Sequence, residues 1–220
     1  MPDYPPPDDH TGTPHRFLLP ADSLLWRIHS QKVDATDFTP FGNRGPLGRC
    51  RFDGTPADPY ATYRAGLDAP ALAADLLLTG IPLSDRRFRT IRRARVLGMR
   101  MSAVPTAVEL SLVSLLTTAA LTAVAQDRWL IVTDERQPGR IGEWARWLRT
   151  RAPWASGLIW PAEHDHTRQL VVLFGDRCPV DVLLSPPEFA VNLDDESGAT
   201  WLNGILARHR ARVMPPRNGR

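Results

Sequence analysis

The sequence predicts a single α+β domain. Two observations lead there: strand-like apolar runs and helical stretches are mixed without regular βαβ alternation, and the chain has one domain's worth of core. Its 220 residues, 43% hydrophobic, can bury one proper core but not two comfortable ones. The charged fraction of 23% is that of an ordinary folded protein. A formal net charge of only +3 argues against nucleic acid as a partner. Lys32 is the only lysine, and the arginine forks that replace it suit phosphate and carboxylate groups better than ammonium does.

Residues 1–17, rich in Pro and Asp, read as a disordered tail with no apolar segment of the secretion type. The folded domain is expected over 18–213, and residues 214–220 as a flexible basic tail. Ser23–His29 is the first strand-like run. A loop from Ser30 to Arg49 follows, marked by Pro40, Gly42, Gly45, Pro46 and Gly48. Loops of this length inside a compact domain are often functional. Short strands are expected at Arg49–Asp53 and around Tyr60–Ala65. Ala69–Leu78 favours helix, with Pro70 tolerable in its first turn and Gly80 and Pro82 to stop it.

Arg86–Arg100 holds seven arginines and reads as a solvated, mixed segment open to an acidic partner. Val108–Val124 reads as strand and then helix. Within it the apolar run Leu110–Ala125 begins, too short to span a bilayer, so no membrane partner is expected. Arg140–Thr150 is an amphipathic helix with Ile141, Trp144, Ala145 and Leu148 on one face. Two strands, Gly157–Trp160 and Gln169–Phe174, flank a polar turn. A last helix over Ala199–Arg212 would bury Trp201, Ile205 and Leu206.

Short catalytic motifs are missing: there is no phosphate-binding glycine loop, HExxH or GxSxG. His164 and His166 flank Asp165, and two histidines at this spacing can face one ion. A solvated turn is the competing assignment, and no metal is expected. Cys50 and Cys178 make neither a disulfide framework nor a metal-type spacing, which fits reduced thiols in the cytoplasm. Cys50 lies between two arginines, either as a thiol with lowered pKa or as a small buried strand residue.

Several segments in order carry a family likeness. They are Trp26-Arg27-Ile28-His29, Gly48-Arg49-Cys50-Arg51-Phe52, Ala61-Thr62-Tyr63-Arg64-Ala65, Pro70 to Leu76, Trp144-Ala145, and Gly157 to Ala162 ahead of Leu170–Phe174. This order, from about residue 18 to 178, resembles the RES domain of bacterial toxin–antitoxin pairs. The resemblance implies a fold like that of ADP-ribosyltransferase toxins and NAD⁺ as substrate rather than cofactor. It also implies cleavage of the nicotinamide–ribose bond by water or phosphate, and a small antitoxin protein as partner. A homo-oligomer is left open.

Position by position, the resemblance implies that Arg27 and Arg51 grip NAD⁺ and that Tyr63 supplies the aromatic ring. It places Asp75 at the family's catalytic glutamate, about one residue later than the tightest spacing. The family's serine is replaced by Ala162. The competing structural assignments are Arg27 as an ion-pair partner, Tyr63 as a core aromatic and Asp75 as a solvent-facing helix residue. The alternative function is a catalytically degenerate RES-like fold that binds NAD⁺ or a protein partner without turnover.

Overall fold

The structure, a computed structural model, describes residues 5–7, 9–43, 47–48, 51–83, 87–132 and 138–215. The first strands are β1 (Arg16–Leu19), β2 (Leu24–Ser30) and β3 (Thr62–Gly66), followed by α1 (Ala69–Leu78). Then come β4 (Arg89–Ile91), β5 (Met99–Pro105) and β6 (Leu110–Ser114). Helices α2 (Thr118–Thr122), α3 (Trp129–Val132) and α4 (Pro138–Arg151) precede β7 (Gly157–Pro161) and β8 (Gln169–Phe174). The chain ends with β9 (Phe189–Asn192), α5 (Glu196–Leu206) and β10 (Ala211–Val213). The class is α+β, as expected.

Eight strands form one mixed sheet in the order β1-β6-β7-β8-β3-β2-β5-β9. All its pairings are antiparallel except β6 with β7. Alternate side chains of a strand go to opposite faces, and here each face has its own core. Ile28, Met101, Leu158, Trp160, Leu170 and Val172 pack with α1, α4 and α5. Leu25, Tyr63, Ala65, Leu112, Ile159, Val171 and Leu173 form the second core, closed by loop residues such as Ala35, Phe38 and Leu183. Strands β7 and β8, covered on both sides, are therefore almost entirely apolar.

Helix α1 matches the expected bounds. Asp68 caps it by accepting from the Ala71 N–H at 2.9 Å, and Gly80 leaves it at φ +76°. Nearly every residue of the helix is buried, Asp75 included.

Four expectations need correction. Residues assigned to a disordered tail are seated on the fold where described: Trp147 Nε1 donates to the Pro7 carbonyl at 3.0 Å, and His10 Nε2 lies 3.0 Å from the Ala123 carbonyl. The sheet begins at Arg16, in a strand too short for alternation to reveal. Arg51 and Phe52 sit in a turn rather than a strand, with Phe52 fully buried against Trp160; residues 49–50 lie outside the described residues. The last helix starts earlier and stops at Leu206, because Asp195 caps it from Gly198 N–H and Arg210 turns left-handed at φ 50°. Ala211–Val213 then pairs in parallel with β4.

The arginine run is mixed, as expected: strand, a 3₁₀ turn at Arg93–Arg95, then strand. None of its described arginines is buried, but several are tied inward. Arg95 donates to the Leu76 and Leu77 carbonyls at the end of α1, Arg89 to the His209 carbonyl, and Arg100 to Asn192 Oδ1. Cations at a helix C-terminus satisfy its orphan carbonyls and oppose its dipole. Arg86 lies outside the described residues.

Candidate functional site

Strand β2 is registered to β5 along its whole length, Leu24 to Ser30, but to β3 only at Trp26–Gly66. The sheet therefore parts between the His29 end of β2 and the Thr62 start of β3. The long loop closes over the gap and bridges back at Thr39–Thr62. Beneath it lies a cavity of about 620 Å³, within the range of small-molecule sites. Its polar wall includes Arg27, His29, Thr39, Asp53 and Arg64; Ile28, Phe38, Leu76 and Met99 are apolar.

Arg27 is 5% exposed. Its guanidinium donates to the carbonyls of Asp37 and Ala35 and to Thr39 Oγ1 at 3.3 Å, so the loop is built around it. The carbon of the same fork lies 4.4 Å from the Tyr63 ring centroid. Burial lowers the pKa of Arg27 from its usual value, yet a guanidinium starts so high that it stays charged. Tyr63 is fully buried, and burial pushes its hydroxyl up to about 12. That oxygen makes no hydrogen bond of ordinary geometry, although the nearby Arg27 guanidinium partly offsets the effect of burial on it. Tyr63 is thus a core aromatic that supports Arg27.

His29 Nδ1 lies 2.9 Å from the Ser30 carbonyl and Nε2 2.9 Å from Ser102 Oγ. A carbonyl only accepts, so Nδ1 carries the proton and Nε2 accepts from Ser102. Burial, reinforced by Arg27, holds the ring below the ordinary imidazole pKa and hence neutral at pH 7.

Asp75 sits on the helix-covered face and is not solvent-facing. Its Oδ2 is 3.3 Å from Arg64 Nη2, and its Oδ1 accepts from the Glu163 N–H at 3.2 Å. Arg64 carries this contact to the cavity wall. Tyr63 and Arg64 are neighbours on β3 and point to opposite faces. The expected residues thus fall into two groups, Arg27 with Tyr63 on one face and Asp75 with Arg64 on the other, which meet where the sheet parts. Arg51 lies half-buried in a turn just before Asp53; Gly48 and Asp53 line the cavity, and Arg51 itself does not. Ala162 is fully buried beside Glu163, its methyl in the helix-side core.

Sequence reading missed Arg64 and His29 as wall residues. Nothing in the alternation of β3 distinguishes a solvated arginine from one facing a gap. The visible signal was Asp75 itself, the one charge in the apolar helix Ala69–Leu78. Cys178 is half-buried, and burial pushes its thiol up to about 12, away from the thiolate form that reacts. Cys50 lies outside the described residues. Among the described residues no helix is long and apolar enough to cross a membrane.

No protein-family model and no curated protein matches the chain. The fold is similar to a solved one: a chain of the M. tuberculosis MbcT–MbcA toxin–antitoxin complex superposes with a TM-score of 0.55 at 15% identity. The match covers 80% of this chain and 86% of that one.

Proposed function

We propose that this protein is the toxin of a toxin–antitoxin pair and that it acts on NAD⁺ in the cavity between β2 and β3. One observation carries the reading. Two guanidinium groups, Arg27 and Arg64, reach the wall of a single cavity, and one of them is fixed by a buried aromatic ring. Likeness of fold to a chain of a toxin–antitoxin complex, together with the RES-like order of motifs, supports the class of protein.

A dinucleotide offers a pyrophosphate for the arginine forks, and charge-assisted bonds of this kind are the strong ones. Arg27 and Arg64 take that role, with Arg51 close by in the turn before Asp53; Tyr63 holds Arg27 in place. Cleavage breaks the bond between the ribose and nicotinamide. The electron pair leaves on the nicotinamide nitrogen, and positive charge develops on the ribose. The Asp75 carboxylate stabilises that cation. Water or phosphate then adds to the ribose carbon, and water releases its proton to solvent.

A second reading, binding without turnover, rests on two specific features. Asp75 is already engaged by Arg64 and the Glu163 N–H, and a methyl stands at Ala162 in place of the family's serine. Aspartate also places its carboxylate about one methylene short, and a misplacement of about 1 Å can lower a rate on the order of a hundredfold.

Nicotinamide release from NAD⁺, followed with and without phosphate, tests both readings. The first expects slow release in the wild type, lost in Asp75→Asn. Both expect the double change Asp75→Glu, Ala162→Ser to raise the rate, because those groups act mainly in the transition state. No binding of NAD⁺ by any of these proteins would overturn the substrate assignment.

A further inference from the structure

We propose that Asp75, Glu163 and His164 form a binding site for a divalent transition-metal ion on the helix-covered side of the sheet, sharing Asp75 with the NAD⁺ reading but resting on separate observations. Asp75 comes from α1, and the other two from the turn that leaves β7. One ligand-type atom of each lies within 4.8 Å of those of the other two. The turn is held in place by the Glu163 N–H bonded to Asp75 Oδ1 at 3.2 Å, which brings the neighbouring side chains to the helix.

His164 supplies the decisive observation. Its Nδ1 is buried and has no hydrogen-bond partner, whereas a ring nitrogen shut away from water normally finds one. His166, the other histidine of the turn, is already committed: Nδ1 lies 3.0 Å from the Ala162 carbonyl and Nε2 3.2 Å from Arg128. The i, i+2 pair visible in the sequence is therefore not the ligand set; one of its members joins two carboxylates instead. Two carboxylate oxygens and one imidazole nitrogen suit ions such as Zn²⁺ or Mn²⁺ rather than Ca²⁺ or Mg²⁺, which take oxygen alone.

Arg64 sets the price of occupancy. Its Nη2 is 3.3 Å from Asp75 Oδ2, so an ion on Asp75 competes with that guanidinium and turns it back toward the cavity it lines. Metal on one side of the wall thus loosens Arg64 from Asp75 on the other.

The test is calorimetric titration of the full chain, treated with chelator, with ZnCl₂ and separately with MnCl₂. One ion per chain is expected for at least one of the two metals. His164→Ala and Glu163→Gln should each weaken it by about tenfold or more, since even outer-shell losses at metal sites reach that size. Arg64→Gln, which removes the competing charge, should tighten it, and His166→Ala should leave it unchanged. Glu163 is exposed, so its isosteric variant keeps the fold, and circular dichroism confirms this for each protein. No binding of either ion, or binding that survives both ligand variants, overturns the proposal.

Discussion

The Arg27 guanidinium lies 4.4 Å from the centre of the Tyr63 ring, and neither side chain is more than 5% exposed. A buried cation over an aromatic face, bonded to backbone carbonyls of the covering loop, gives that loop a fixed seat where the sheet parts. The two residues come from β2 and β3, the strands that share only one bridge. Their contact therefore ties together two walls that backbone pairing leaves apart.

Tyr63→Phe should raise stability. The hydroxyl is buried without a partner, and removing such a group relieves a desolvation cost of about 1 kcal/mol. The ring, its packing on Phe38 at 5.5 Å and the cation contact all remain. Melting should rise by roughly 2–4 °C for a chain of this size. A fall of similar size would mean that the oxygen makes a bond to Arg27 after all.

Stability should decline on mild acidification. Burial above all lowers the pKa of His29 and of His209 below the ordinary imidazole value of 6.5. The unfolded chain takes up protons near that value, whereas the folded one resists, so the unfolded state binds more protons as pH falls. The stabilisation is complete above about pH 6.5 and is lost as pH drops through and below it. The urea midpoint should be lower at pH 5.5 than at 7.5, and less so in His29→Gln. A midpoint that rises on acidification would contradict neutral buried rings.

Arg149 anchors a structural cluster away from the cavity. It bonds Asp58 at 2.9 Å and Asp176 at 2.7 Å and lies 3.8 Å from the Tyr60 ring centroid. Arg149→Ala should cost about 3 kcal/mol, the lower end for breaking a buried pair, because Asp176 is half-exposed and keeps its water. Chemical denaturation measures this loss. A change below about 0.5 kcal/mol, the level of a surface pair, would show that the cluster contributes no more than that.

Much of this fold is legible in the sequence where local patterns decide it. Ala69–Leu78 has a cap, an apolar run and a stop, and the helix follows them residue for residue. Leu170–Phe174 is an unbroken apolar run and becomes a strand buried on both faces. The failures occur where a partner decides. Arg16–Leu19 is a strand because β6 pairs with it, and Ala211–Val213 because β4 does. The site divides in the same way. Arg27 and Asp75 stand out as charges within apolar segments, but the Arg64 link between Asp75 and the cavity depends on how β3 and α1 meet in space.

Titration of NAD⁺ into the wild type and into Arg64→Gln tests the central claim most directly. The guanidinium is partly exposed, with side-chain exposure of 18%, so the variant should fold. A charge-assisted hydrogen bond contributes about 1.5–3 kcal/mol, which corresponds to at least about tenfold in affinity. The account predicts one NAD⁺ per wild-type chain and binding at least about tenfold weaker in Arg64→Gln. Absence of binding in the wild type, or equal affinity in the two proteins, would contradict it.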